Sequence, residues 1–324
     1  MKILGINISH HPSIAFIENN KVYKLYEETR FRNDKNFDLT LDNSTLICID
    51  EKLDFKPDIV CYASFGRDNK NHSLQIPLHI KEHETDQYII DRLQEQLEHP
   101  QYYFDQTKHH VHHAVSAFYF SPFEKAMAIV IDGGGARFKF NNGYLENESI
   151  YYIDKKNVKQ LYCHYSNRKT IEVGDDTVLN YSEHAYRTFR PGYEALLSSA
   201  AVGGTLFGLI GRQIDLLNEP GKVMGLASYI GHEKNYPTLK PEYIKLADKA
   251  QKVSFYDTCR LIEKAVRYYG IKNIVLSGGY FLNCSNNFKY VEQYPECNFF
   301  VDPVPYDAGT AVGVGIYYEN YKKH

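Results

Sequence analysis

One pattern of secondary structure occurs twice in this 324-residue chain, and that repeat restricts the possible folds more than any other feature. Each half begins with three short β-rich segments separated by turn residues, a pattern that predicts a three-stranded meander. The segments are residues 2–8, 13–19 and 21–27 in the first half and residues 126–132, 143–153 and 157–166 in the second. We therefore expect two α/β lobes of similar plan.

Helical periodicity follows each meander. Residues 84–98 carry four apolar side chains on one helical face, and residues 240–268 form a long helical region. The second half closes with an apolar strand, residues 273–279, that ends in a glycine pair. Glycine-rich turns after buried strands can grip nucleotide phosphates, so the repeat predicts an actin-like ATPase (ASKHA) α/β fold. Its two lobes, residues 1–122 and 123–324, would flank a nucleotide and metal cleft; two unrelated α/β domains are the alternative.

Composition excludes several classes of protein. Apolar residues make up 43% of the chain and charged residues 24%, which is typical of a folded globular protein. The net charge of −3 disfavours tight, sequence-independent binding to duplex DNA. The sequence has neither a signal-peptide pattern nor a run of ~18 apolar residues, so we expect no membrane span. The six cysteines form no CxxC pair, which indicates free thiols in a cytoplasmic protein.

The densest chemical signal is the segment KHHVHHA at residues 108–114. His109 and His113 are four residues apart, so on a helix they share one face and can both reach one metal ion. His110 and His112 would point elsewhere. The alternative is a histidine pair that is solvated or satisfied within the core.

Two aspartates could complete a metal site. Asp132 follows an apolar run and precedes Gly133 and Gly134, whose backbone is a predicted nucleotide contact. A carboxylate buried there needs a cationic partner, although an aspartate that caps a turn before glycine is also common. Asp307 offers a second carboxylate at a strand-to-helix junction. Two histidines and two aspartates suit iron or zinc, with manganese as a further option, and leave positions for a substrate.

Two other segments offer groups for a nucleotide. Gly278 and Gly279 follow a predicted strand, where the backbone can approach a phosphate or a purine, and Asn283 offers an amide one helical turn later. Glu219 and Lys222 flank a Pro-Gly turn, where lysine could hold a phosphate and glutamate a ribose hydroxyl. In isolation each segment is equally typical of an ordinary surface turn.

Histidines also follow the first strand. Asn7, Ser9 and His10 occupy the position that Asp132 occupies in the second half, so they are predicted to face the same cleft. His10 or His11 could accept a proton at neutral pH. A turn histidine without a catalytic role is the alternative.

Taken together, these segments resemble the O-carbamoyltransferase family, which includes antibiotic and nodulation-factor carbamoyltransferases. The match is ordered and spans almost the whole chain. The matching motifs are ILGINISH from residue 3, EETRFR at 27–32, HHVHHAVSAFYFSPF at 109–123, IDGGG at 131–135, EPGKVMGLASY at 219–229, LSGGYFLNCSNN at 276–287 and PVPYDAGTAVGVG at 303–315.

The resemblance implies a Kae1-like catalytic domain related to the tRNA threonylcarbamoyl transferase subunit. It implies a metal on His109, His113, Asp132 and Asp307, and ATP-dependent transfer of carbamoyl from carbamoyl phosphate through a carbamoyl-adenylate. The acceptor would be a hydroxyl of a sugar or another small molecule, and His10, which matches the family's N-terminal motif histidine, would take its proton. The alternatives are a hydroxymethylated pyrimidine in a nucleotide or in DNA as acceptor, and a nucleotide-binding regulatory module without chemistry.

The chain departs from the family pattern in two places. Family members usually continue into a YrdC-like domain that makes the carbamoyl-adenylate, whereas this chain ends shortly after the DAG segment. We therefore expect that a separate YrdC-like subunit supplies the adenylate or that this domain acts alone; a homodimer is a further option. The family's His-Asp-x-Ser reads His10-His11-Pro12-Ser13 here, so acceptor binding is expected to differ.

Overall fold

The computed structural model describes residues 1–35, 37–39, 43–52, 54–65, 85–98, 101–138, 141–170, 186–190, 192–200, 203–216 and 219–322. The strands in these residues are β1 (Lys2–Asn7), β2 (Ser13–Glu18), β3 (Lys21–Glu27), β4 (Ile59–Ala63), β5 (Tyr102–Phe104), β6 (Lys125–Ile131), β7 (Arg137–Phe138), β8 (Asn141–Asp154), β9 (Val158–Thr170), β10 (Tyr186–Arg190), β11 (Tyr193–Ala200), β12 (Asn273–Ser277) and β13 (Asn298–Val301). The α-helices are α1 (Glu28–Arg32), α2 (Thr85–Leu97), α3 (His109–Phe120), α4 (Gly204–Gln213), α5 (Pro220–Leu226), α6 (Pro241–Tyr269), α7 (Cys284–Gln293) and α8 (Thr310–Tyr317).

Both predicted meanders are present. β1, β2 and β3 pair antiparallel in chain order, and β6, β8 and β9 do the same in the second half. The predicted helices correspond to α2 and α6, and the last predicted apolar strand corresponds to β12. These predictions are confirmed, while the division of the chain at residue 122 stays a prediction.

The strands form two sheets that place several chain ends side by side. The first sheet has the order β3-β2-β1-β4-β5, and the second has the order β10-β11-β9-β8-β6-β12-β13 with β7 paired to β8. β12 runs parallel to both of its neighbours, β6 and β13. Because the carboxyl ends of parallel strands meet at one edge of a sheet, the residues that follow β6, β12 and β13 lie next to one another.

Helices α3 and α8 pack against each other and connect the two sheets. α3 also contacts β6 and β12, and α8 also contacts β1, β2 and β4. Ile3, Ala114, Val130 and Val312 belong to one buried apolar cluster that spans these elements. Gly313 permits the close approach, because a Cβ atom there would lie 1.9 Å from the backbone oxygen of His112. The position of α3, and of every side chain it carries, therefore depends on α8.

Two expectations from composition can be compared with the structure. The six cysteines are free thiols, as predicted. No helix among the described residues is both long and apolar enough to span a membrane.

The close contact between α3 and α8 predicts that one added methyl group at Gly313 destabilises the fold. We expect Gly313→Ala to lower the free energy of unfolding by ~1–3 kcal/mol, because the new Cβ must displace backbone rather than a flexible side chain. Gly208→Ala in α4 is the matched control, since a Cβ there meets nothing within 4 Å. The control should gain ~0.5–1 kcal/mol from lower backbone entropy in the unfolded chain. Thermal and denaturant unfolding measure both changes, and equal stability of the two variants would contradict the packing described.

Candidate metal and nucleotide site

Four buried side chains from three parts of the fold converge at the edge where the strands end. α3 presents His109 and His113 one turn apart, Asp132 directly follows β6, and Asp307 begins the short 3-10 helix that leads into α8. Each of the four offers a ligand atom, and these atoms all lie within 4.8 Å of one another. The structure thus brings together the four residues that the sequence predicts as metal ligands.

The Nε2 atoms of both histidines face the carboxylates. His109 Nε2 lies 3.4 Å from Asp132 Oδ2 and 3.7 Å from Asp307 Oδ1. His113 Nε2 lies 3.5 Å from the same Asp307 oxygen. The two imidazole rings meet edge to face with their centroids 4.8 Å apart. Two nitrogen and two oxygen atoms therefore point at one common space.

The electrostatics of the cluster fit a bound cation. Burial raises the pKa of Asp132, but the hydrogen bond with His109 and the nearby His113 outweigh burial and hold that pKa well below its usual range. Burial and Asp132 raise the pKa of Asp307, and the two histidines again outweigh them and lower it. His113 Nε2 is buried and makes no hydrogen bond within the described residues. Two ionised carboxylates with a bare imidazole nitrogen form a donor set that suits a borderline divalent ion such as iron or zinc.

Hydrogen bonds from neighbouring turns orient the two carboxylates. The backbone N–H of Gly279 donates to Asp132 Oδ1 over 3.0 Å, and Ser9 Oγ donates to Asp307 Oδ2 over 2.7 Å. Asn7 Nδ2 donates to the backbone oxygens of His10 and His11, which shapes the turn after β1. The turn after the first strand therefore reaches the same site as Asp132, as its position in the sequence predicts.

His10 lies at the rim of the site. Its side chain is 62% exposed, and its Nδ1 lies 3.2 Å from Asp38 Oδ2. Its ring stacks on Phe65 with centroids 5.5 Å apart, and the Phe65 ring in turn meets His109 at 6.1 Å. His11 instead packs against Tyr306, and burial lowers its pKa. Asp38 and Phe65 belong to no motif, so the sequence offered no signal for either.

The glycine turns lie beside Asp132. Gly278 has a φ of 100° and its Cβ position would be 2.1 Å from the backbone oxygen of Ile131, so only glycine fits there. Gly133 is exposed and a Cβ there would meet nothing within 4 Å, while Gly134 is half-buried, so a ligand has space beside the Gly133 Cα. The glycines that the sequence predicts as nucleotide contacts therefore border the metal-ligand cluster.

Asn283 has a structural role that the sequence does not predict. Its Oδ1 accepts hydrogen bonds from the Asn286 backbone N–H, which caps α7, and from Gln251 Nε2 of α6. Its Nδ2 donates to Gln251 Oε1 over 2.9 Å. The amide thus ties α7 to α6, and its contact with a nucleotide stays a prediction.

Glu219 and Lys222 form a charged cluster at the surface. Glu219 Oε1 lies 3.3 Å from Lys222 Nζ, and Glu219 Oε2 lies 3.1 Å from Lys35 Nζ. The hydrogen bonds from the two lysines lower the pKa of Glu219. Lys35 comes from the first half of the chain, so the cluster bridges the two halves. A role for Glu219 and Lys222 in nucleotide binding stays a prediction.

The other two histidines of α3 point away from the cluster, as predicted. His110 Nδ1 lies 2.9 Å from Ser149 Oγ, which donates to Glu146 Oε1 over 2.7 Å. Burial lowers the pKa of His110 to about 4, so the ring is neutral. His112 packs against Tyr317 of α8 at 5.8 Å.

Asp302 is a further buried carboxylate near the site, directly after β13. Its Oδ1 accepts from the Val304 backbone N–H and its Oδ2 accepts from Ser277 Oγ, both over 3.0 Å. Burial raises the pKa of Asp302 to about 6 in spite of these bonds. One sequence motif, at 276–287, includes Ser277 and another begins at residue 303, directly after Asp302, and neither marks these side chains as functional.

Solved structures identify the fold, whereas sequence comparison gives little. No protein-family model matches the chain. An uncharacterized protein of Methanocaldococcus jannaschii, MJ1051, is 24% identical over 329 aligned residues, which cover 97% of this chain and 56% of the relative. Full-length HypF in its phosphate- and nucleotide-bound form superposes with a TM-score of 0.54 at 13% identity, over 97% of this chain and 54% of HypF.

Two further solved structures have comparable similarity. HypF of T. kodakarensis has a TM-score of 0.52 at 14% identity, over 99% of this chain and 48% of that protein. A ROK family protein of Streptococcus pneumoniae in complex with sucrose has a TM-score of 0.50 at 11% identity and is covered completely, as is this chain. The chain has an actin-like ATPase (ASKHA) fold. That prediction is confirmed, and the chain spans about half the length of MJ1051 and of HypF.

The pKa of Asp302 predicts how stability depends on pH. Because this pKa is higher in the folded chain than the ordinary value of 3.8, the folded state prefers the protonated carboxyl, and stability falls as pH rises from about 4 through about 6. We expect Asp302→Asn, which cannot ionise, to be more stable than the wild type at pH 7.5 by up to about 3 kcal/mol after removal of metal with a chelator.

The difference should disappear near pH 4, where both side chains are uncharged. Denaturant unfolding at the two pH values measures it. If Asp302→Asn is equally or less stable than the wild type at pH 7.5, burial of the ionised Asp302 does not destabilise the folded protein.

Proposed function

We propose that the protein is an ATP-dependent carbamoyltransferase that passes a carbamoyl group from a carbamoyl-adenylate to a hydroxyl of a sugar or another small molecule. The observation that carries this proposal is the buried pair of histidines and pair of aspartates, His109, His113, Asp132 and Asp307, next to the exposed backbone of Gly133. The ordered motifs that resemble the O-carbamoyltransferase family support it. HypF, whose structure shares the fold, has been solved with phosphate and nucleotide bound.

Each part of the site has a task in this reaction. His109, His113, Asp132 and Asp307 would hold a divalent metal, which supplies positive charge to stabilise the phosphate and carbonyl oxygens of the adenylate. The exposed backbone of Gly133 and the half-buried backbone of Gly134 allow a phosphate to approach without a side chain in the way.

His10 is the proton acceptor in this proposal. Asp38 lies against Nδ1, which directs the proton-accepting lone pair to Nε2, the arrangement found in nucleophile-activating histidines. The acceptor oxygen forms a bond to the carbamoyl carbon, the bond from that carbon to the phosphate oxygen breaks, and AMP leaves with the electron pair. The hydroxyl proton moves to Nε2 of His10.

Direct supply of carbamoyl-adenylate tests the transfer step without the activating step. The metal-loaded protein is incubated with the adenylate and a panel of sugars, small alcohols and hydroxymethylated pyrimidine nucleotides, and products are read by mass. We expect one acceptor class to gain a carbamoyl group. Parallel reactions with ATP and carbamoyl phosphate, with and without a YrdC-like protein, report whether this chain makes the adenylate itself.

His113→Ala is the decisive variant in that assay. Loss of a metal ligand should abolish product formation and stoichiometric metal binding while ATP affinity falls little. His232→Ala, at an exposed position, is the control and should leave all three unchanged. ATP binding with no product from any acceptor would contradict the transferase and favour a nucleotide-binding module.

The role of His10 predicts a graded series of rates. Removal of a general base costs ~10²–10⁴-fold, so His10→Ala should slow transfer by that factor without weakening metal binding. Asp38→Asn keeps the shape of the contact but no longer favours the proton on Nδ1, and it should slow transfer by a smaller factor. Single-turnover rates with saturating adenylate measure both. Full activity of His10→Ala would assign the proton to another group.

A further inference from the structure

Two buried side chains outside the ligand set form a chain of contacts that ends on His113. Ser277 is the last residue of β12, and Asp302 follows β13, its parallel neighbour. The Asp302 backbone N–H donates to the Leu276 backbone oxygen over 2.9 Å, which holds the two strand ends together. His113, Ser277 and Asp302 are each at most 2% exposed. Water therefore does not compete for these contacts.

The donors and acceptors in this chain have one consistent arrangement. An ionised carboxylate and a backbone carbonyl only accept, so Ser277 Oγ donates its single hydrogen to Asp302 Oδ2 over 3.0 Å, with the Pro305 backbone oxygen at 3.4 Å as the longer alternative. The same Oγ lies 3.4 Å from His113 Nδ1. Because the hydroxyl hydrogen is already used, Ser277 can only accept there, and the hydrogen on the imidazole must lie on Nδ1. In the neutral imidazole, His113 Nε2 then carries the lone pair, which faces the site and can bind a metal ion.

We infer that Ser277 and Asp302 are positioning residues that fix the tautomer and ring orientation of His113 so that Nε2 is presented to a metal ion. The inference rests on the proposed metal-dependent function. Histidine ligands generally donate their other ring N–H to an oxygen, and loss of such a partner costs ~10–100-fold in metal affinity or activity. Here a hydroxyl fills that place, and a carboxylate holds the hydroxyl.

The two histidine ligands differ in this respect. His109 Nδ1 is buried and has no hydrogen-bond partner among the described residues. Nε2 of His109 lies against both carboxylates, so their charges orient that ring directly. His113 Nε2 approaches only Asp307 within ion-pair distance in the described residues. The contact with Ser277 therefore matters more for His113 than an equivalent contact would for His109.

Titration of the full chain with Co²⁺ tests the inference, because the ion reports both affinity and coordination geometry through its visible absorption. We expect Ser277→Ala to raise the Kd for Co²⁺ by ~10–100-fold and to alter the ligand-field bands. Ser198→Ala is the matched control: it removes a buried serine hydroxyl that lies 2.7 Å from His164 Nε2, away from the four ligands. The control should leave the Kd and the spectrum unchanged.

Asp302→Asn separates positioning from general damage to the fold. It should weaken Co²⁺ binding in the same direction as Ser277→Ala while the metal-free protein becomes more stable at neutral pH, a combination that a merely structural role would not produce. Ser277→Thr, which keeps the hydroxyl, should restore most of the affinity. Where Ser277→Ala fails to fold, Asp302→Asn and Ser277→Thr decide the outcome.

The results distinguish this inference from the proposed function. A wild-type protein that takes up no stoichiometric Co²⁺ overturns the metal site itself. A wild-type protein that binds Co²⁺, with Ser277→Ala and Asp302→Asn binding equally tightly and with the same spectrum, overturns only the role of Ser277 and Asp302.

Discussion

The interaction on which the rest of the structure depends is the burial of two carboxylates against two imidazoles. Removing an ionised carboxylate from water is costly, and two such groups within a few ångströms add mutual repulsion. The cost is offset at Asp132 by the hydrogen bond with His109 and by the Gly279 N–H, and at Asp307 by both histidines and the Ser9 hydroxyl. A divalent cation would neutralise the two charges that remain. Because burying two ionised carboxylates costs so much free energy, such a cluster is typical of a functional site rather than of a structural core.

The fold supplies this cluster by bringing chain ends together. β6 and β12 are parallel neighbours, so Asp132 and the Gly278–Gly279 turn meet at one edge of the second sheet. His109 and His113 stand on α3, whose position is set by α8, and Asp307 lies just before α8. One close helix contact at Gly313 therefore controls the distance between the histidines and Asp307. The duplicated meanders form the two sheets. The packing of α3 against α8, which joins the two halves of the chain, brings the four side chains together.

Local patterns in the sequence were enough to predict both meanders, α2, α6 and β12, and four candidate ligands that the fold brings together. The spacing of His109 and His113 predicts a shared helical face, and the position of Asp132 between a buried strand and three glycines predicts a strand-end carboxylate. Contacts between distant segments leave no such trace: Ser9 and Asp307 are 298 residues apart, and the bridge from His10 to Asp38 joins a turn to an irregular segment. Asn283 illustrates a different limit. Its sequence position suits both an amide that caps a helix and an amide that binds a ligand, so the sequence alone does not separate the two roles.

The indirect contact between Asp302 and His113 has an electrostatic consequence. A carboxylate bonded directly to His113 Nδ1 would add a third negative charge beside Asp132 and Asp307. With Ser277 between them, Asp302 still polarises the imidazole through the hydroxyl but lies one side chain further away. Asp132, Asp307 and a divalent ion sum to zero charge, and the further charge of Asp302 acts on them over a longer distance than a direct contact would give. The greater distance of Asp302 weakens the negative potential at the four side chains, which favours the approach of a negatively charged phosphate such as that of the proposed adenylate.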